Sequence, residues 1–239
     1  MGSRIVEVHN GSSLFTGDAG SGESNARRYM IENDLVEAII ALPEKMFYNT
    51  GIGTFIWVLS NRKEERRKGK IQLIDATAIK TPLRKNMGEK NCELSPAQRQ
   101  EIVRIFMAFE ESEVSRIFPN SEFGYWKVSV QQPLLDEQGN PALDKKGRIQ
   151  PDKAKADTEI IPFRYEGGIE AFMDAEVRPY APGAYIDPKA TKIGYELSFT
   201  KYFYKPVQLR PMEDIVADLK ALEKETDGML AEILGGIQG

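Results

Sequence analysis

Two adjacent aromatic residues, followed by polar residues and glycine, form the most promising chemical site in the sequence. Residues 43–53 read PEKMFYNTGIG and contain Phe47, Tyr48, Asn49, Thr50 and Gly51. Aromatic faces can stack on a flat ring, side-chain amides and hydroxyls can hydrogen-bond its polar edge, and glycine allows close backbone approach. This combination favours a site for a flat polar ring. Alternatively, Phe47 and Tyr48 only plug the end of a sheet.

The aromatic segment joins two apolar runs that both predict buried strands. These runs are residues 35–42 (LVEAIIAL) and 54–59 (TFIWVL), and continuous apolar stretches of this length are typical of strands covered on both faces. About ten residues separate them, which is too few for a helical crossover, so we expect antiparallel neighbours. A strand at 4–9, a helix at 23–33 and a strand at 71–74 complete an α/β pattern. In such sheets, ligands bind at the carboxyl ends of the strands.

The rest of the chain predicts a mixed region. Ser95, Pro96 and Gln98 form a capping box with proline in the first turn, and apolar residues at helical spacing through Ile117 predict a helix that ends before Pro119. Further along we expect a strand at 123–135, an exposed hairpin or loop at 136–157, a short helix at 169–177 and an irregular segment at 179–206.

A charged loop offers a second candidate site. Residues 62–70 (RKEERRKGK) could contact DNA phosphates, although two glutamates dilute the positive charge and a solvated turn is the commoner outcome. The candidate contacts are Arg62, Lys63, Arg66, Arg67 and Lys68. The glycine-rich residues 17–22 favour a plain loop, and His9 favours a structural role. Arg27 and Arg28 are expected on the exposed face of their helix.

Composition limits the function classes. The 239 residues carry a net charge of -4, so the chain as a whole lacks the basic excess of an independent nucleic-acid binder. A single cysteine excludes an internal disulfide and a zinc site built from several thiolates, and no metal site is predicted. No stretch is long and apolar enough to cross a bilayer, and no signal peptide is evident at the N-terminus. We expect a cytoplasmic protein without membrane contact.

Residues 2–77, from GSRIVEV to LIDAT, resemble the second half of the catalytic domain in the modification subunits of type I restriction-modification systems. Those subunits are adenine-N6 DNA methyltransferases. The resemblance extends more loosely through FGYWKVSVQQPL, EGGIEAFMDAEVRPYAP and KIGYELSFTKYFYKP to the C-terminus. It implies that the enzyme flips adenine out of the duplex and that an aromatic residue of MFYNTG stacks on the base. Phe47 is the first position for that role, and Tyr48 the second.

Two motifs of that family are missing from the sequence. The family uses a glycine-rich turn to bind S-adenosylmethionine and an Asn-Pro-Pro-aromatic motif to bind the adenine amine, and neither occurs here. The resemblance therefore implies S-adenosylmethionine as cofactor of the complete enzyme, bound by an upstream half of the methyltransferase. This chain alone is expected to bind no cofactor, to contain no catalytic residue and to be inactive.

The clearest helix pattern lies at the C-terminus. From Pro211 onward, apolar residues recur at alternating spacings of four and three, as in a coiled coil. The residues of this seam proposed for partner docking are Ile215, Leu219, Leu222, Met229 and Ile233. The resemblance implies docking on the specificity subunit, with the restriction subunit and double-stranded DNA completing the complex. Alternatively, the seam packs back on its own domain.

We therefore predict the second half of a doubly wound, Rossmann-like methyltransferase sheet, followed by a mixed region and a C-terminal helix. The predicted divisions are a catalytic half at 1–80, a helix and strand extension at 81–135, an irregular mixed region at 136–210 and a docking helix at 211–239. Two other functions remain open. One is a noncatalytic module that binds the specificity subunit, and the other is an unrelated nucleotide-binding α/β domain.

Overall fold

A computed structural model describes residues 2–204 and 211–235, except the side chains at 223, 225 and 227–235. The chain divides into two units, Met1–Phe203 and Tyr204–Gly239. Within the described residues, no helix is both long enough and apolar enough to cross a membrane.

A five-stranded sheet forms the centre of the first unit. Its strands are β1 (Arg4–Asn10), β2 (Val36–Ala41), β3 (Thr54–Ser60), β4 (Lys70–Asp75) and β7 (Ser115–Pro119). The strand order is β1-β3-β2-β4-β7. The predicted antiparallel pairing of β2 with β3 is confirmed, and β2 pairs with β4 in parallel. Because β1 is also antiparallel to β3, the strands β1, β2 and β4 all point their carboxyl ends to one edge.

Helices cover the two faces of this sheet. Successive residues of a strand point to opposite faces, so Ile39 belongs to one apolar core and its neighbour Ile40 to the other. The first core includes Ile31 of helix α2 (Gly22–Glu32), which follows the short helix α1 (Ser12–Phe15). The second core includes Ile102 of helix α3 (Pro96–Ala108). The predicted mixed α/β fold is thus confirmed.

Helix α3 begins as predicted but ends earlier. The capping box of Ser95 and Gln98 is present, with proline in the first turn. The helix stops at Ala108 because Phe109 adopts a left-handed conformation with φ 53°. Ile117, which the helical spacing had included, lies in β7 and pairs with Gln72 of β4.

The segment between β4 and α3 forms a hairpin that the sequence analysis did not anticipate. Its strands are β5 (Thr81–Met87) and β6 (Lys90–Glu93), which pair antiparallel around a turn at Gly88 and Glu89. The positive φ of Gly88, 63°, is a backbone conformation that glycine adopts without the strain caused by a Cβ atom. We call residues 80–93 the basic hairpin, because four of them are lysine or arginine.

A second sheet corrects the expectation of an irregular segment at 179–206. Strand β8 (Gly124–Gln131) lies between β9 (Asp157–Pro162) and β10 (Tyr185–Tyr195). The predicted short helix near 169–177 is present as α4 (Gly168–Phe172), continued by a π-helical turn at Met173–Val177. A last short helix, α5 (Phe199–Phe203), ends the unit.

Between β8 and β9, residues 132–152 form an arm made of two similar turns. Asp136 Oδ1 accepts hydrogen bonds from the backbone N–H groups of Gln138 and Asn140, and Asp144 Oδ1 accepts them from Lys146 and Arg148. Three backbone hydrogen bonds form a ring: Leu134 donates to Gln150, Gln150 donates to Ala142, and Ala142 donates to Leu134, at 2.8, 2.9 and 2.7 Å.

The second unit contains the predicted C-terminal helix, α6 (Met212–Gly235), with Glu213 and Asp214 in its first turn. Negative charge at that end complements the helix dipole.

Candidate nucleic-acid interface

The aromatic segment lies at the edge where β1, β2 and β4 end. It leaves β2 after Ala41 and enters β3 at Thr54. The backbone N–H of Leu42 donates to the carbonyl of Thr54 over 2.9 Å, and that of Ala76 donates to Ala41 over 3.0 Å. These two bonds fix the base of the segment to the sheet, so its position follows from the strands.

The basic hairpin supports the aromatic segment from one side. The backbone N–H of Asn91 donates to the carbonyl of Lys45 over 3.0 Å, and the Cys92 thiol donates to the carbonyl of Glu44 over 3.3 Å. Near the hairpin tip, the Tyr48 hydroxyl lies 3.8 Å from the Met87 sulfur. The contacts at both ends of the hairpin hold the segment in place although it has no regular secondary structure of its own.

The aromatic side chains of the segment are open to solvent. Phe47 is 37% exposed, Tyr48 59% and Ile52 57%, so their apolar surface is accessible to a ligand. The Tyr48 ring has the Lys90 ammonium 5.1 Å from its centroid, whereas Phe47 makes no ring contact within the described residues. Asn49 is exposed, Thr50 is half-buried and Gly51 is exposed. The arrangement leaves the Phe47 ring available for stacking.

Two residues of the segment adopt a left-handed backbone. Lys45 has φ 55° and Asn49 has φ 54°, and a non-glycine residue in this region costs on the order of 1 kcal/mol. Asparagine tolerates the conformation better than lysine does. The hydrogen bond from Asn91 to the Lys45 carbonyl helps to stabilise this turn.

Two of the five predicted phosphate contacts are buried, which corrects their assignment. The Lys63 ammonium lies 2.5 Å from Asp34 Oδ1 and donates to the carbonyl of Lys70 over 2.7 Å. Burial lowers the pKa of Lys63, and the hydrogen bond to Asp34 opposes that change. Arg67 is 1% exposed and lies 3.5 Å from Glu37. Neither side chain can reach a phosphate without leaving these partners.

The other three predicted contacts differ in availability. Arg66 donates to the carbonyls of Met107 and Ala108 at 2.7 and 3.0 Å and pairs with Glu64, so it caps the end of α3. Lys68 pairs with Glu65 over 2.6 Å. Arg62 is exposed. DNA contact by these three remains a prediction.

A buried polar network connects the charged loop to the sheet. Glu37, which is fully buried, accepts hydrogen bonds from Arg4 of β1 at 3.0 and 3.2 Å and pairs with Arg67. Arg67 donates to Gln72 over 3.2 Å and to the carbonyl of Phe106 in α3. Because each buried charge has a partner of opposite sign, the network avoids the large cost of isolated charge in an apolar interior.

Strand β1 is an open edge of the sheet. All seven of its residues are exposed, including Ile5, Val6 and Val8 at 51–60%. An apolar cavity of about 470 Å³ lies beside it on the α3 face and is lined by Val6, Val58 and Phe106 among others. A second, of about 330 Å³, is lined by Glu7, His9, Arg27, Met30 and Trp57 among others. An edge strand of this kind presents backbone N–H and C=O groups that can pair with another strand.

Arg27 is buried, contrary to the expectation of an exposed position. Its Nε donates to the carbonyl of Tyr195 over 2.7 Å and its Nη1 to that of Ser13 over 3.2 Å. Nη2 has no hydrogen-bond partner within the described residues. Burial lowers the pKa of the guanidinium. Arg28, by contrast, is half-buried and pairs with Glu32.

On the C-terminal helix, Ile215, Leu219 and Leu222 are exposed. The side chains of Met229 and Ile233, the other two predicted docking residues, lie outside the described residues. Within the described part of the chain, no three His, Cys, Asp or Glu side chains are grouped as a metal site would require.

Comparison with known proteins defines the class. Residues 3–129 match the family model described as N-6 DNA Methylase, which is more than half of the chain. The chain therefore belongs to the N-6 DNA methylase family. Its predicted resemblance to type I modification subunits is also confirmed, because the curated relatives are methylase subunits of type I restriction enzymes.

Several relatives come from Methanocaldococcus jannaschii, among them the MjaVII and MjaIX methylase subunits. The MjaVII methylase subunit is 47% identical over 58 residues, covering 24% of this chain and 10% of the relative. The MjaIX methylase subunit is 33% identical over 112 residues, covering 47% and 19%. The chain thus spans less than a fifth of either relative. The crystal structure of a type I methyltransferase subunit from Streptococcus thermophilus matches with a TM-score of 0.41 and 22% identity, covering 50% of this chain and 23% of that one.

Proposed function

We propose that this chain forms the base-binding wall of an N6-adenine DNA methyltransferase of the type I restriction-modification class. The single observation that carries the proposal is the exposed Phe47 ring at the carboxyl edge of the sheet, in a segment held by the basic hairpin. Adenine extruded from DNA loses its stacking partners, and an aromatic side chain can restore roughly 1–3 kcal/mol per base. Phe47 stacks on the base, and Tyr48, with its hydroxyl at Met87, borders it.

The methyl donor of the complete enzyme is S-adenosylmethionine, and the residues of this chain do not fit it. The turn after β1 contains one glycine, Gly11, and its polar groups are already used: Ser13 accepts hydrogen bonds from Trp57 at its Oγ and from Arg27 at its carbonyl. The Asn-Pro-Pro-aromatic motif is missing from the sequence. We therefore assign donor binding and amine activation to the upstream half of the methyltransferase, and expect the fragment to be inactive alone.

The open edge at β1 supports a division of the catalytic domain into two parts. The cavity on the α3 face is lined mainly by apolar side chains, and burying them stabilises a complex by roughly 25 cal/mol per Å² of apolar surface. The upstream half adds a strand to β1 and helices to both faces. The aromatic segment then borders the cavity between the two parts.

Target-base extrusion tests the base-binding role. In the assembled methyltransferase, DNA with 2-aminopurine at the target position becomes more fluorescent when the base leaves the stack. We expect Phe47→Ala to shift the extrusion equilibrium by roughly 5- to 150-fold, the equivalent of the lost stacking energy. Tyr180→Ala is the matched control, because Tyr180 is 88% exposed and far from the segment in sequence. An unchanged signal for Phe47→Ala contradicts the proposal.

The C-terminal helix is proposed to dock on the specificity subunit through Ile215, Leu219 and Leu222, together with Met229 and Ile233. The restriction subunit and double-stranded DNA join the complex through that assembly. We expect a chain truncated before Pro211 to lose the specificity subunit in a pull-down, because its apolar seam is gone. Retention of the subunit at native yield contradicts this role, and the thermal unfolding midpoint of the truncated chain checks that residues 1–210 stay folded.

A further inference from the structure

The basic hairpin contains four cations and the two carboxylates of Glu89 and Glu93. Lys80, Arg84 and Lys85 are exposed and Lys90 is half-buried, and none of the four forms an ion pair within the described residues. The charged loop differs in this respect. There, Lys63, Arg66, Arg67 and Lys68 all pair with carboxylates. The hairpin therefore offers a positive surface that does not require breaking an internal ion pair.

The hairpin is attached directly to the aromatic segment. Lys90 lies over the Tyr48 ring, and Met87 contacts the Tyr48 hydroxyl. Arg84 and Lys85 precede Met87 by three and two residues, about 10 and 7 Å along an extended strand. A DNA strand carries one phosphate for about every 3.4 Å of helix axis. Arg84 and Lys85 therefore lie within three residues of the contact between Met87 and Tyr48, close to the base site proposed at Phe47.

We propose that the basic hairpin binds the DNA backbone beside the extruded adenine, with Lys80, Arg84 and Lys85 on the phosphates. This inference rests on the proposed function, because it takes the aromatic segment as the base site. Such contacts position the strand without reading its sequence. They also explain how a chain with net charge -4 can contact DNA, since the positive charge is local.

The salt dependence of DNA binding tests the proposal. In the complete methyltransferase, we replace Arg84 and Lys85 by glutamine and measure the dissociation constant over a range of salt concentrations. The slope of log K against log salt is negative, and each lost phosphate contact makes it shallower by about 0.9. The double substitution is therefore expected to reduce the magnitude of the slope by about 1.8. The pair Arg84→Lys with Lys85→Arg keeps both charges and should retain the native slope.

Lys145→Gln with Lys146→Gln is the matched control, because both lysines are exposed and lie on the arm between β8 and β9. A native slope for the Arg84 and Lys85 double variant overturns the inference, and so does an equal decrease in the control. The 2-aminopurine signal of Phe47→Ala is read separately on the same complex. If Phe47→Ala loses the fluorescence signal but the Arg84 and Lys85 double variant keeps the native salt slope, only the hairpin contact is rejected. If Phe47→Ala keeps the signal but the double variant has a shallower slope, the base site is rejected.

Discussion

We expect Val6→Asp to prevent this chain from assembling with the proposed upstream half of a methyltransferase while leaving the chain itself folded. Val6 is 60% exposed on the edge strand β1 and lines the cavity on the α3 face. In the isolated chain, an exposed carboxylate costs little, within about 0.5 kcal/mol. In the assembled domain, the added strand and helix would bury that carboxylate in a cavity lined mainly by apolar side chains. A buried carboxylate costs several kcal/mol unless a cation such as Arg4 or Arg99, which also line the cavity, pairs with it. We expect binding to the upstream half to weaken by roughly 100-fold or more.

Co-expression of the two parts as separate polypeptides, followed by measurement of their dissociation constant, checks this expectation. Ile160→Asp is the matched control, because Ile160 is 59% exposed on β9 of the other sheet. Native affinity of the Val6→Asp chain would show that β1 is not the assembly edge. A loss of affinity in both variants would point to a general effect of added charge.

Glu37→Gln is expected to have the largest effect on stability. The substitution preserves the size of the side chain but removes the charge that pairs with Arg67, and both side chains are 1% exposed. Removing one partner of a buried ion pair destabilises proteins by about 3–5 kcal/mol, because the other charge stays buried. Denaturant unfolding of the chain measures the difference. Glu7→Gln is the control, since Glu7 is exposed on β1 and, among the described residues, forms an ion pair with His9 alone.

The double substitution Glu37→Met with Arg67→Met separates the ion pair from simple packing. If the penalty comes from uncompensated charge, this variant should recover most of the stability lost in Glu37→Gln, since apolar residues of similar volume often replace buried ion pairs without loss. A double variant that is less stable than Glu37→Gln would instead assign the loss to the hydrogen bonds of Arg4, Gln72 and the Phe106 carbonyl.

The central strands were predictable because their sequence signal is local. Residues 35–42 and 54–59 are apolar except for Glu37 and Thr54, and the short connection between them favours antiparallel pairing, which the structure contains. The start of α3 was equally clear, because Ser95, Pro96 and Gln98 each have a defined role there. Its end was not, because the apolar spacing continues by coincidence to Ile117 across the left-handed Phe109.

The charged residues were harder to place because their partners lie far along the chain. Asp34 and Glu37 neutralise Lys63 and Arg67 from about thirty residues away, and the carbonyl that Arg27 contacts belongs to Tyr195. Sequence alone therefore overestimates the free positive charge of the charged loop, and it does not predict the positive surface of the basic hairpin. The second sheet was missed for the same reason, since β10 pairs with β8 only after the arm and α4 intervene.

The ring of hydrogen bonds in the arm between β8 and β9 restricts how that arm can vary. Leu134, Ala142 and Gln150 each donate to one neighbour and accept from the other, so removing any one member leaves both of the others with an unsatisfied backbone group. Deletion of the turn at Asp136 or of the turn at Asp144 should therefore unfold the arm as a whole and make it accessible to proteases, whereas substitutions at its exposed lysines should be tolerated.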